Sequence, residues 1–183
     1  MNILIATVGL CGSGKSEAAS ILEKKGFSLV TVSGEITDEL KKKGFRISDL
    51  SKKRQRDDLR TLYGDDALVS LLFGKIDSEL ERTSVVIDGM YSWNEYLSLR
   101  ERYGERLKVL ALFCPKDERY SRLERRKERP IVKKIAEERD MSEIASLNKG
   151  GPIAIADFTI INDSSIKELE QNIDRLLDID GWS

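Results

Sequence analysis

The segment Gly9-Leu10-Cys11-Gly12-Ser13-Gly14-Lys15-Ser16 constrains this chain more than any other feature. It fits G-x-x-x-x-G-K-[ST], a loop whose successive backbone N–H groups point inward and cradle phosphates. The flanks fit the same reading. Ile3 to Val8 is an apolar run expected to be a buried strand. Lys15 to Lys25 places Ala18, Ile21 and Leu22 on one helical face, with Gly26 as the C-cap. Gly9, Gly12 and Gly14 keep side chains out of the curl. The helix N-terminus adds partial positive charge. Lys15 can reach the β and γ phosphates of a nucleotide, and the Ser16 hydroxyl can ligate Mg²⁺. Cys11 and Ser13 lie in the same cradle. Cys11 reads as a small filler or as a thiol made reactive by its amide-rich surroundings. The spacing excludes the G-x-G-x-x-G dinucleotide fingerprint.

Beyond the loop, short apolar runs alternate with longer amphipathic stretches. Further strands are expected at 27–32, 85–87, 107–113 and 158–161. Helices are expected at 34–43, 50–63, 65–81, 93–103, 116–129, 131–147 and 166–177, with a turn at Lys149-Gly150-Gly151-Pro152. This alternation predicts an α/β, three-layer fold: a five-stranded parallel sheet with helices on both faces. The 183 residues hold no repeat and no Pro/Gly/Ser linker, so 1–183 reads as one domain.

Composition narrows the chemistry. The chain has no histidine, which removes Ser-His-Asp and Cys-His triads, histidine metal sites and imidazole proton shuttles. Carboxylates, Lys, Arg, hydroxyls, backbone N–H groups or a bound ion must do the work. A net charge of −1 argues against a globally basic nucleic-acid binder. Two cysteines, Cys11 and Cys114, are too few for a disulfide framework or a structural zinc site, and suit a reducing cytosol. No apolar run approaches the ~18 residues of a membrane span, and the N-terminus lacks a signal-peptide pattern. A cytoplasmic location without membrane partners is expected.

Three other places carry candidate chemistry. Val85-Val86-Ile87-Asp88 is an apolar strand ending in an acid; Asp88 can hold Mg²⁺ through water or orient Ser16, or simply open an Asp-Gly turn. Ser33-Gly34-Glu35 opens a helix after the second strand. Glu35 can position or deprotonate an acceptor, or serve as a first-turn acid favoured by the macrodipole. From Lys116 to Lys134, nine basic residues face four acidic ones, a local excess of +5. Arg119, Arg122, Arg126 and Arg129 share one helical face, suited to trapping a transferring phosphoryl group, to a solvated surface with pairs such as Glu118–Arg122, or to RNA. Arg139 and Glu143 follow at i, i+4 spacing.

Taken in order, these residues resemble the P-loop kinase group that includes dephospho-coenzyme A kinase and the nucleoside monophosphate kinases. Gly9 to Ser16 looks like their ATP loop, and Ile87-Asp88-Gly89 like their Asp-Gly strand end. Val32-Ser33-Gly34-Glu35 resembles the start of their acceptor-binding helices, and Arg60 an acceptor-side arginine. Arg119 to Arg129 resembles the arginine-rich start of their lid, with Arg139 the arginine after it. Ala156-Asp157-Phe158-Thr159-Ile160-Ile161-Asn162 is similar to the Ala-Asp…Asn strand of dephospho-coenzyme A kinases and archaeal adenylate-kinase-like proteins. Three departures stand out. Met90-Tyr91 follows Asp-Gly where the monophosphate kinases usually carry an arginine, Thr37-Asp38 stands where they often carry another just after the strand-end acid, and Ser-Gly-Glu stands where dephospho-coenzyme A kinases usually have aspartates. Tyr91, with Trp93 and Tyr96, can stack an acceptor ring or pack a helix onto the sheet.

The resemblance implies ATP-Mg²⁺-dependent transfer of the γ-phosphoryl to a nucleotide-like acceptor. The acceptor region would span about 34–81 and a mobile lid about 119–147. Lys15, Glu35, Asp88, Arg122 and Arg126 would be catalytic, and Ser16 and Asp88 would manage the metal. Arg119 and Asn162 would join the loop in binding ATP, while Ser33, Glu35, Arg60, Tyr91 and Arg139 would bind the acceptor. An ATP-binding regulator without acceptor kinase activity is the alternative from another class. The chain is expected to be a monomer or homodimer, with nucleic acid an unlikely partner.

Overall fold

The first apolar run forms β1 (Leu4–Val8), which is buried over its whole length. In this computed structural model, which describes residues 1–64, 66–127 and 130–180, β1 is the middle strand of a parallel sheet. The phosphate loop leads from it into α1 (Lys15–Lys24). Then come β2 (Ser28–Val30), α2 (Val32–Lys42), α3 (Asp49–Tyr63), α4 (Ala67–Ser70), α5 (Phe73–Leu80) and β3 (Val85–Ile87). The second half runs α6 (Trp93–Tyr103), β4 (Leu107–Phe113), α7 (Lys116–Glu124), α8 (Lys133–Leu147), α9 (Gly150–Ala154), β5 (Phe158–Ile161) and α10 (Ile166–Asp180). The strand order is β2-β3-β1-β4-β5, and every pairing is parallel. The three-layer α/β architecture read from the alternation is therefore the one that forms.

Pleating explains the two faces. Leu4, Ala6 and Val8 point to one side with Val85, Ile87, Leu107 and Val109, and are covered by residues such as Ile36, Leu72, Ile76 and Leu99. Ile3 and Ile5 point to the other with Val86, Leu110 and Leu112, covered by α1 and α10 through Ala18, Leu22 and Ile173. The inner strands β1, β3 and most of β4 are buried on both faces and read as continuous apolar runs, while the edge strands β2 and β5 are only partly covered.

Several boundaries depart from expectation, each for a local reason. β2 ends at Val30 because extended Thr31 caps α2, its hydroxyl accepting from the Gly34 N–H at 2.8 Å. Ser33, Gly34 and Glu35 thus lie in the first turn of α2. The helix expected over 65–81 is two, α4 and α5, joined where the Leu72 N–H donates to the Val69 carbonyl in a tight turn. α7 ends at Glu124 rather than running to Arg129. The Ile131 N–H reaches back to the Leu123 carbonyl (3.0 Å) and the Lys133 N–H to Glu124 Oε1 (3.0 Å), which folds the segment after Pro130 back onto the end of α7. The four-arginine face therefore does not exist as one helix face: Arg126 lies past the end of α7, and Arg129 falls outside the described residues. The Lys149–Pro152 turn is instead the start of α9, whose first turn tolerates Pro152 because those N–H groups lack helical partners.

β1 lies between β3 and β4, and the chain leaves it towards opposite edges of the sheet. In such sheets the crevice at the carboxyl ends of the strands is the ligand site. The phosphate loop and Asp88 both open into that crevice.

Candidate active site

The loop is braced from behind. The Asn162 side chain donates to the Ser13 carbonyl at 2.8 Å, and Arg119 donates to the Cys11 carbonyl at 3.0 Å. Glycine makes both approaches possible. A Cβ at Gly14 would lie 2.1 Å from Asn162 Nδ2, and one at Gly12 would lie 2.9 Å from the Arg119 carbonyl. Both residues also hold positive φ, where an L side chain is strained. Bracing from outside leaves the inner face for a ligand. α1 starts at Gly14 with no side-chain cap, so its first N–H groups point into the crevice without a protein side chain to satisfy them. Ser13 Oγ is buried without a partner in the same curl. Lys15 folds back and donates to the carbonyls of Gly9 (2.9 Å) and Leu10 (3.1 Å). Burial, then the nearby Lys149 ammonium, pulls its pKa down to about 8. These orphan donors and a destabilised ammonium suit a polyphosphate.

Ser16 Oγ donates to Asp88 Oδ1 at 3.1 Å, so the loop and the β3 end meet. Thr7, fully buried in β1, sets the meeting. Its hydroxyl donates to the Ile87 carbonyl (3.1 Å) and accepts from the Gly89 N–H (3.0 Å), while its carbonyl accepts from the Met90 N–H (2.8 Å). A hydroxyl and a carboxylate side by side fit Mg²⁺, which takes one or two protein oxygens and completes its shell with phosphates and waters. Among the described residues, no group of three or more metal-ligating side chains offers a site built from protein alone.

A cavity of about 300 Å³ is lined by Ser33, Arg56, Arg60, Tyr91, Arg139 and Glu143 together with apolar side chains, and the charge of Glu143 in its wall acts on Lys15 of the loop. Ser33, Arg60, Tyr91 and Arg139 thus come together as a group; Arg56 and Glu143 join them. Glu35 stands apart, ion-paired to Lys75 at 2.9 Å. Trp93 and Tyr96 pack on each other with ring centroids 5.1 Å apart, and Trp93 presses against Gly151, so of the three aromatics only Tyr91 lines the cavity.

The arginines of the basic segment differ in their contacts. Arg119 is buried and forms a two-bond pair with Asp140 on α8 (3.0 and 2.7 Å), where the Tyr120 hydroxyl also donates (2.9 Å). Arg122 pairs with Glu118 at 3.0 Å and reaches the Ser164 carbonyl at 3.3 Å. Arg126 is exposed. Tyr120, Leu123 and Ala136, with Cys11 and Ile131, form a small third core that seats α7 and α8 on the loop.

Two buried charges escaped sequence reasoning. Lys149 is fully buried, with its ammonium 2.8 Å from Glu143 Oε2 and 5.0 Å from the Tyr91 ring centroid. Glu95 is 2% exposed, accepts from the Tyr91 N–H at 2.6 Å through one oxygen, and has no partner at the other. Burial raises its pKa to about 7, against the pull of that N–H, Arg60 and Lys149. Ser92-x-x-Glu95 carries the capping-box pattern, and Ser92 does cap α6, but the pattern says nothing of burial.

A phosphate loop at the switch point of this sheet, with an acid from the adjacent strand against its serine, defines a P-loop kinase fold. The chain belongs to the AAA domain family, which it matches over residues 5–145, and to the UPF0200 proteins. A UPF0200 protein of Sulfurisphaera tokodaii is 32% identical over 179 residues, covering 95% of each chain. One from Thermococcus gammatolerans is 32% identical over 180 residues, covering 96% of this chain and 94% of that protein. Among solved structures, shikimate kinase of Bacteroides thetaiotaomicron superposes with a TM-score of 0.63 at 14% identity, covering 96% of this chain and 98% of that one. A gluconokinase of Sinorhizobium meliloti gives 0.58 at 15% identity, covering 96% and 94%. At such identities the likeness is one of fold. No helix among the described residues is long and apolar enough to cross a membrane.

Proposed function

We propose that the chain is an ATP-dependent phosphotransferase that moves the γ-phosphoryl to a small nucleotide-like acceptor bearing an anionic group. The observation carrying this reading is adjacency: a loop of unsatisfied donors ends in Lys15, whose ammonium feels the charge of Glu143 in the wall of a cavity lined by three arginines. Arginine is suited to planar recognition of phosphate or carboxylate.

In this reading the α1 N-terminus and Lys15 hold the β and γ phosphates. Ser16 and Asp88 would hold Mg²⁺, which supplies charge neutralisation on the phosphate oxygens. Arg56, Arg60 and Arg139 fix the acceptor so that its oxygen lies in line with the γ phosphorus. The acceptor O–P bond forms as the bond to the β-γ bridging oxygen breaks, and the leaving charge falls on ADP. A phosphate acceptor is already ionised and needs no base; a hydroxyl acceptor would need Glu35, released from Lys75, to take its proton. Arg126, which is exposed, would swing in with the lid, whereas Arg122 would first have to leave Glu118. Closure would exclude water and spare ATP from hydrolysis.

A panel of nucleoside monophosphates and dephospho-coenzyme A, read as acceptor-dependent ADP release, tests this. At least one acceptor should stimulate turnover, and Lys15→Ala should lower the transfer rate by roughly 10²–10³-fold. Turnover indifferent to every acceptor, or a Lys15→Ala enzyme at the wild-type rate, would overturn it and favour an ATP-binding regulator.

A further inference from the structure

A cavity built to hold an anion should exclude carboxylates, yet Glu143 lines it beside Arg56, Arg60 and Arg139. The Glu143 side chain is only 14% exposed and gives Oε2 to Lys149 at 2.8 Å. Lys149 itself is wholly enclosed, its ammonium lying over the Tyr91 ring that forms another wall of the cavity. Burying such a pair is expensive, and an apolar pair of similar volume would serve stability as well or better. The pair does have a consequence for a ligand. Lys149 offsets the repulsion that Glu143 would exert on an incoming anion, and holds the carboxylate in a fixed direction. A carboxylate has two oxygens, so the one not bonded to Lys149 can accept from a ligand.

Resting on the phosphotransferase reading above, we propose that Glu143 is a specificity-determining residue of the acceptor cavity, oriented by Lys149, that accepts a hydrogen bond from a hydroxyl or amino group of the acceptor. The acceptor class is thereby narrowed to molecules that carry an anionic group for the arginines and a neutral donor at a fixed distance from it. A bare anion satisfies only half the cavity. Lys149 touches no ligand in this scheme and is a positioning residue.

The test uses the full chain with its phosphate loop filled by Mg²⁺ and a non-hydrolysable ATP analogue. Calorimetric titrations compare methyl phosphate at a pH where it is a dianion without a donor, and adenosine monophosphate, which offers hydroxyl and amino donors. Glu143→Gln should weaken adenosine monophosphate by roughly tenfold or more, the worth of one hydrogen bond to a charged acceptor, while methyl phosphate binds as before or more tightly. Lys149→Met should weaken both probes by exposing the anion to an uncompensated carboxylate, and Lys149→Arg should restore the preference for adenosine monophosphate. If Lys149→Met does not fold, the Glu143→Gln and Lys149→Arg arms still decide. Equal changes on both probes in Glu143→Gln would overturn the Glu143 role while leaving the arginine cavity intact. Failure of either probe to bind the wild-type chain, or methyl phosphate binding unaffected by Arg60→Met, would overturn the acceptor reading and this inference together.

Discussion

Burial holds the Lys15 ammonium at a pKa of about 8, well below its ordinary value. A base with a lowered folded pKa is charged at a cost below pH 8, and that cost disappears as pH rises from there towards the unfolded value of 10.5. Nucleotide binding reverses the balance, because phosphates stabilise the ammonium. Above pH 8 the empty site must therefore take up a proton on binding, and ATP affinity should fall by about tenfold per pH unit. Calorimetry in buffers of differing ionisation enthalpy would read this as uptake rising towards about one proton; uptake independent of pH would contradict it. Glu95 has the opposite sign. Its folded pKa, about 7, exceeds the ordinary 4.5, so stability falls as pH rises through that window and the full penalty is present above it. The penalty is about 3 kcal/mol at 1.36 kcal/mol per pKa unit. Glu95→Gln should thus be more stable than wild type at pH 8 by up to about that amount, with the gap closing towards pH 5 in urea melts. No histidine titrates to obscure the comparison. Sequence made the loop legible because its residues carry their function in a fixed local spacing. Lys149 and Glu95 were not legible, because a lysine before Gly-Gly-Pro and a glutamate in a cap pattern are each ordinary surface residues until the fold encloses them.

At the scale of elements, strand positions were legible and helix ends were not. Strands buried on both faces announce themselves as apolar runs, whereas α7 stops at Glu124 because of hydrogen bonds from Ile131 and Lys133, residues that sequence assigned to the next helix. The same break decides what the basic segment does. The guanidinium of Arg119 bonds Asp140 and the carbonyls of Cys114 and Cys11 instead of facing solvent with its neighbours. It joins β4, α8 and the phosphate loop. Removing one partner leaves the other charge buried and alone, so Asp140→Ala should destabilise the chain by about 3–5 kcal/mol in denaturant titration, while Asp140→Asn, which keeps one acceptor oxygen, should cost less. Equal and small losses would mean that Arg119 finds water instead. Gly14→Ala tests the loop's rear brace. Its Cβ would collide with Asn162 and force positive φ on alanine, so nucleotide binding should be lost.

For the molecule as a whole, the small core of Tyr120, Leu123 and Ala136 is what makes nucleotide binding a property of more than the loop. It packs Cys11 of the loop against α7 and α8, and the Arg119 bonds to Cys11 and Asp140 run across the same junction. A ligand that fixes the loop must then also restrict the two helices seated on it. Binding to the folded state alone contributes about 2.7 kcal/mol at a ligand concentration of 100 Kd. For a chain of 183 residues, at roughly 2–4 °C per kcal/mol, that is a rise in Tm of roughly 5–10 °C. Lys15→Ala should lose most of that rise. Where the protection falls is the sharper measurement. Amide exchange with Mg²⁺ and a non-hydrolysable ATP analogue should slow in the loop and also in α7 and α8, and much less in α3, whose Arg56 and Arg60 line the arginine cavity. Asp140→Ala removes the polar link between α7 and α8 and leaves the small core, so the loop should keep its protection while α8 loses part of its own. Protection confined to the loop in the wild-type chain would mean that α7 and α8 do not answer to ATP.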